Sequence, residues 1–131
     1  MAPISGAHMG TGLNHRTTIR DRRYASRNKY NAIQTEVDGI KFASRAEARR
    51  YGELKLMLDA GLIQDLECHP KYEININSMH VCYYVADFRY IDDGKLVVED
   101  VKSAATVTKL YRLKKKLMKA CHGISIRESY S

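Results

Sequence analysis

Residues 85–102 read VADFRYIDDGKLVVEDVK, two runs of strand-forming residues joined by Asp92-Asp93-Gly94-Lys95. Asp-Gly between runs rich in Val, Ile, Tyr and Phe is a hairpin signal, because both central residues of the favoured two-residue turn need positive φ. Side chains alternate along a strand, so Asp100 and Lys102 share one face while Val97, Glu99 and Val101 take the other. A hairpin that turns at Asp93-Gly94 brings Asp87 on the first strand beside Asp100 on the second. Two carboxylates and an amine converging on one sheet face make a candidate site for a divalent cation. The strand from residue 81 to 91 is expected to run unbroken, with Asp87 in phase with Tyr83 and Val85.

The chain has 131 residues, enough for one domain with a real core and too few for two. Its charge is divided sharply along the sequence. Residues 1–50 are net +6, residues 51–100 net −6 and residues 101–131 net +7. A basic frame around an acidic middle suits an anionic polymer held at its flanks with a cation between. No apolar run approaches the roughly 20 residues of a membrane helix, and the chain opens on no signal-peptide pattern. Cys68, Cys82 and Cys121 are odd in number and lack metal-ligand spacing, which predicts reduced thiols and a cytoplasmic setting without a membrane.

Outward from the hairpin, residues 1–13 (MAPISGAHMGTGL) read as a vector-derived or disordered leader. Residues 14–31 form a basic flexible arm whose Arg20, Arg22, Arg23, Arg27 and Lys29 suit phosphate contacts, with Tyr24 and Tyr30 available to stack on bases. Residues 32–131 form the single folded domain. Within it residues 35–42 predict a small hairpin around Asp38-Gly39, and Ser44 opens a helix that Gly61 stops. Glu47, Tyr51, Leu54 and Leu58 fall on one face of that helix, so Glu47 points inward. Ser44 and Glu47 also match a capping box, and on the helix alone that is the better reading. The acids downstream turn the balance toward a site residue. Residues 62–68 read as a connector, residues 71–77 as a strand, and three consecutive strands as an antiparallel meander. Residues 106–121 predict a second helix with Leu110, Leu113 and Leu117 inward and Lys109, Arg112, Lys115, Lys116 and Lys119 outward. A short last strand at residues 124–126 then requires a right-handed crossover and a parallel pair.

Asp87, twelve intervening residues, then Asp100-Val101-Lys102 resembles the signature of the PD-(D/E)XK nucleases, the restriction-endonuclease-like superfamily. The predicted order α-β-β-β-α-β, a mixed sheet flanked by helices in an α/β domain, is similar to that superfamily's core. The span from Lys29 to Glu128, with KYNAIQTEVDGIKFASRAEARRYGELK, ADFRYIDDGKLVVEDVKS and YRLKKKL, resembles short phage and prophage proteins likened to Holliday-junction resolvases and phage endonuclease I. Ala86 stands where the signature has Pro, and His69-Pro70 where relatives favour Gln before the Pro.

The resemblance implies a phage-type, metal-dependent DNA endonuclease that hydrolyses phosphodiester bonds, with branched DNA or Holliday junctions as substrate. Glu47, Asp87, Asp100 and Lys102 become the catalytic residues, with Glu47, Asp87 and Asp100 as ligands of Mg²⁺ or Mn²⁺. A hard cation of this kind takes oxygen ligands and keeps several waters, so few carboxylates suffice. A junction presents two strands to cut, so a homodimer is expected. The alternative is a non-catalytic nucleic-acid-binding accessory protein on the same scaffold, which the basic flanks alone would support.

Overall fold

The computed structural model describes residues 33–130. The leader and the basic arm, with Arg20, Arg22, Arg23, Arg27 and Lys29, lie outside the described residues. The fold is α/β, with two helices and a four-stranded mixed sheet among the described residues. The elements run β1 (Thr35–Val37), β2 (Ile40–Phe42), α1 (Arg45–Asp59), β3 (Ile63–Cys68), β4 (Lys71–Ile76), β5 (Met79–Val85), β6 (Phe88–Asp92), β7 (Lys95–Lys102), α2 (Lys109–His122) and β8 (Arg127–Tyr130), with a turn of 3₁₀ helix at Ala104–Thr106. The main sheet has the order β3-β6-β7-β8, antiparallel except for the β7–β8 pair. The parallel pair across α2 is the one expected. Its strand is Arg127–Tyr130, three residues later than predicted, because Ile124 and Ile126 are spent on the core before pairing begins.

Hairpin chemistry explains the local turns. Asp38-Gly39, Asn77-Ser78 and Asp93-Gly94 all have positive φ at both central residues, the backbone that a type I′ turn needs to match strand twist. Asp92 pairs with Lys95, so the central hairpin closes where the sequence puts it. α1 starts on Ser44, whose hydroxyl accepts the Glu47 N–H at 3.1 Å, and it ends as Gly61 takes φ +77°.

The predicted meander needs correction. Residues 62–68 are not a connector: β3 within them is the strand that pairs with β6. Asp65 takes a left-handed φ of +55° where the register slips between Gln64 and Glu67, so this bulge hides the strand's alternation. β4 and β5 pair with each other, and they continue the β3–β6 hairpin beyond a bend. At that bend His69 N–H donates to the Asp87 carbonyl at 2.9 Å and Ala86 N–H to the Pro70 carbonyl at 3.1 Å. His69 adopts φ +55° there. The expected single strand from 81 to 91 is therefore two strands broken at Ala86-Asp87. Tyr84 and Ala86 fill one core cluster, whereas Phe88 and Tyr90 fill the other.

Adjacent residues of β7 separate these clusters. Val97 packs with Ala48, Tyr51 and Leu54 of α1, and Val98 with Tyr111 and Met118 of α2. Since neighbouring strand residues point to opposite faces, the helices cover opposite sides of the sheet. α2 is rotated from the predicted stripe: Tyr111 and Met118 are buried, while Leu110 and Leu113 are exposed. It starts at the Thr108 cap, after the 3₁₀ turn.

Leu54 is fully buried on α1 and Leu56 is 72% exposed. Leu54→Ala is expected to cost about 2–5 kcal/mol in urea unfolding through loss of burial and a residual cavity. Leu56→Ala should stay within about 0.5 kcal/mol. Equal costs would contradict this packing of α1.

Candidate metal and phosphate site

The bend carries Asp87 away from regular pairing and against the end of β7. Asp87 N–H donates to Asp100 Oδ1 at 2.9 Å, and Val101 N–H donates to Asp87 Oδ2 at 2.7 Å. The two aspartates thus brace each other's strands. Tyr84 OH donates to Asp100 Oδ2. Asp87 Oδ1 accepts no hydrogen bond among the described residues, so one oxygen of the pair is left to face the cleft. Lys102 stands two residues along the same face, its Nζ 4.0 Å from the centre of the Tyr111 ring. An ammonium on a ring face is stabilised by the ring's quadrupole and held in place. Asp87, Asp100, Lys102, Tyr84 and Tyr111, with Lys114, line a cleft of about 340 Å³.

Electrostatics follow from this crowding. Burial, then repulsion from Glu47 and Asp100, pushes the Asp87 carboxyl up to about 7. The Val101 N–H and Lys102 oppose the rise only in part. Asp100 is also raised, chiefly by burial, against the pull of the Tyr84 hydroxyl and Lys102. Glu47 is raised by burial as well, with the Ala43 N–H, His69 and Lys102 opposing. A set of acids that resist ionisation together is stabilised by a nearby cation.

Glu47 behaves as neither reading alone described it. The hydroxyl half of the capping box forms, but Glu47 Oε2 accepts the Ala43 N–H at 3.3 Å rather than that of Ser44. The carboxylate still stands near enough to raise Asp87 and to feel Lys102. Among the described residues, no three His, Cys, Asp or Glu side chains are grouped as ligands of one metal ion. Asp87 and Asp100 are the donor set that fits a hard cation, since Mg²⁺ is commonly held by one or two carboxylates with water and substrate phosphate filling the rest. Glu47 is at the margin of that set.

Glu99, the neighbour of Asp100, has the opposite environment. It is fully buried on the α1 face. Arg50 donates to both its oxygens at 2.6 and 3.0 Å, and Tyr90 OH and Ser129 Oγ each donate at 2.6 Å. Burial alone would raise its carboxyl, but these hydrogen bonds outweigh it and hold the group below its usual range. Glu99 is a structural tie among α1, β6, β7 and β8. The alternation that set it apart from Asp100 holds.

The basic residues of α2 divide. Arg112, Lys115, Lys116 and Lys119 line a groove beside β8, while Lys109 is exposed on the helix's outer side. Tyr84 and Tyr111 were not among the predicted site residues. No signal marks Tyr84, because an unbroken strand would put Tyr83 on the site face. Tyr111 lies within the predicted basic helix, but the leucine stripe points the inward face at its neighbours.

In the metal-free protein Asp87 gives up its proton near pH 7 when folded and near 3.8 in its ordinary state. The folded protein therefore holds an extra proton between these values, and stability from this group falls as pH rises through the window. Urea unfolding at pH 4 to 8 without divalent cation should show a gap between wild type and Asp87→Asn that widens in favour of the variant as pH rises. Parallel curves would contradict the raised Asp87.

No curated protein and no solved structure matches the chain. The family described as "Protein of unknown function (DUF1064)" matches residues 27–128, and the chain belongs to that family.

Proposed function

We propose that the chain is a divalent-metal-dependent DNA endonuclease that hydrolyses phosphodiester bonds and works in the cytoplasm of the host cell. The observation that carries this reading is the Asp87–Asp100 pair, brought together in a cleft by Asp87 N–H on Asp100 and Val101 N–H on Asp87, with Lys102 beside it. Acid, acid-x-lysine across a hairpin, a helix acid nearby and a basic helix before a parallel strand make an arrangement like the PD-(D/E)XK nuclease core. Preference for branched DNA or Holliday junctions comes from the resemblance to resolvase-like phage proteins, and with it the expectation of a homodimer.

Asp87 and Asp100 would hold Mg²⁺ or Mn²⁺. When bound, such an ion polarises the phosphoryl group and supplies an acidified water. Lys102, fixed on Tyr111, is placed to orient that water or to offset charge growing on the phosphoryl oxygens. Tyr84 holds Asp100 in one orientation, so the pair is set before substrate arrives. A second reading, a non-catalytic nucleic-acid binder, is favoured by one observation: both Asp100 oxygens already accept hydrogen bonds inside the protein. Catalysis separates the two.

A labelled panel of linear duplex, single strand, nicked plasmid and four-way junction should be cut in Mg²⁺ or Mn²⁺ and not in EDTA. Asp87→Asn and Lys102→Ala should each lower the rate by about 10²–10³-fold, the scale for loss of a charge-stabilising group. Tight binding of DNA with no cutting in any lane would replace this reading with the accessory binder.

A further inference from the structure

α2 has a cleft on each flank. Successive residues turn about 100° around a helix, so Leu110 and Lys114 fall on one side of the buried Tyr111–Met118 line. Arg112, Lys115 and Lys119 fall on the other. Contacts agree with that division. Lys114 Nζ donates to the Tyr83 carbonyl of β5 at 3.1 Å, and Lys115 pairs with Glu128 of β8 at 3.1 Å. The acid-bearing cleft lies on the β5 flank, and a basic groove of about 490 Å³ lies on the β8 flank.

Apart from Glu128 and Ser125 the groove lining is cationic or apolar. Glu128 itself is committed to Lys115, Tyr111 OH and Tyr130 OH. Arg112, Lys116 and Lys119 pair with no carboxylate among the described residues. Between these flanks the helix turns an exposed crest outward, with Leu113 54% exposed and Lys109 and Ala120 beside it. On this crest, between the acid-bearing cleft and the basic groove, Lys109 is a donor suited to guanine edges, and Leu113 and Ala120 offer apolar contact to thymine methyls.

We propose that α2 lies in the major groove of B-form DNA, with one backbone entering the Asp87–Asp100 cleft and the other following Arg112, Lys116 and Lys119. This rests on the nuclease reading of the cleft and names its substrate as a double strand. The dimensions agree: a helix with side chains is about 10–12 Å across, and the B-form major groove is about 12 Å wide. A single strand would occupy one flank alone. Duplex RNA is excluded by the same geometry, since its major groove is deep and too narrow for a helix.

The test is binding in EDTA, read by fluorescence anisotropy of the full chain on duplex DNA, duplex RNA and single-stranded DNA of one sequence. Arg112→Ser/Lys116→Ser/Lys119→Ser should lose about 10- to 100-fold on duplex DNA and move by less than about threefold on the single strand. Its log–log salt slope on duplex DNA should fall by about 2–3, the value for three lost phosphate contacts. Arg112→Lys/Lys116→Arg/Lys119→Arg should bind duplex DNA as wild type does, which separates charge from folding. Unchanged duplex affinity in the serine variant, an equal loss on single strand, or wild-type binding of duplex RNA as tight as duplex DNA would overturn the proposal. A wild type that binds in this pattern but cuts nothing would sink the nuclease reading and leave the placement of α2 standing.

Discussion

The crossed hydrogen bonds that tie Asp87 to the end of β7, Asp87 N–H to Asp100 Oδ1 and Val101 N–H to Asp87 Oδ2, are the constraint on which the site and the bend both depend. Each carboxylate accepts a backbone N–H from the other's strand, at 2.9 Å and 2.7 Å. These bonds replace ladder contacts that the bend at Ala86-Asp87 removes, and Asp87 N–H also donates to the Glu99 carbonyl at 3.2 Å. An unpaired buried backbone group would cost roughly 1–3 kcal/mol. The same bonds force two acids together in a partly desolvated place. The repulsion is spread over raised carboxyl groups and the nearby Lys102, and the proposed divalent cation would relieve the remainder.

Glu99 and Asp100 show how alternation along one strand gives two adjacent acids opposite environments. Toward α1, Glu99 accepts hydrogen bonds from Arg50, Tyr90 and Ser129, and they hold its carboxyl below the usual range. Removing one partner of such a buried pair leaves an uncompensated charge and costs several kcal/mol. Toward α2, Asp100 is held by Tyr84 and by Asp87, and its environment disfavours the charge. The first carboxylate binds helix to sheet. The second lines the cleft, held against Asp87 by its neighbours.

Where a residue's conformation is set locally, the sequence was sufficient. Asp93-Gly94 located the hairpin, period two placed Asp100 apart from Glu99, and Ser44 opened α1. Where tertiary packing decided, it was not. Asp65 in a left-handed bulge erased the alternation of β3; Asp tolerates that backbone, but with no following Gly it marked no turn in the sequence. The bend at His69-Pro70 changed which core the even residues of β5 and β6 fill, so Tyr84 came to Asp100 in place of Tyr83. For α2, two stripes about 100° apart were both apolar. The aromatic and Met stripe won because it reaches across to Val98 and Ile74.

The most direct test of the central claim, that Asp87 and Asp100 form one cation site, is calorimetric titration with Mn²⁺ near pH 7 in buffers of different ionisation enthalpy. Wild type should bind one ion per chain and release a fraction of a proton, because Asp87 is partly protonated in the free protein at that pH. In Asp87→Asn both the binding and the proton release should be lost. Binding of equal strength in the variant, or none in the wild type, would contradict a shared cation site.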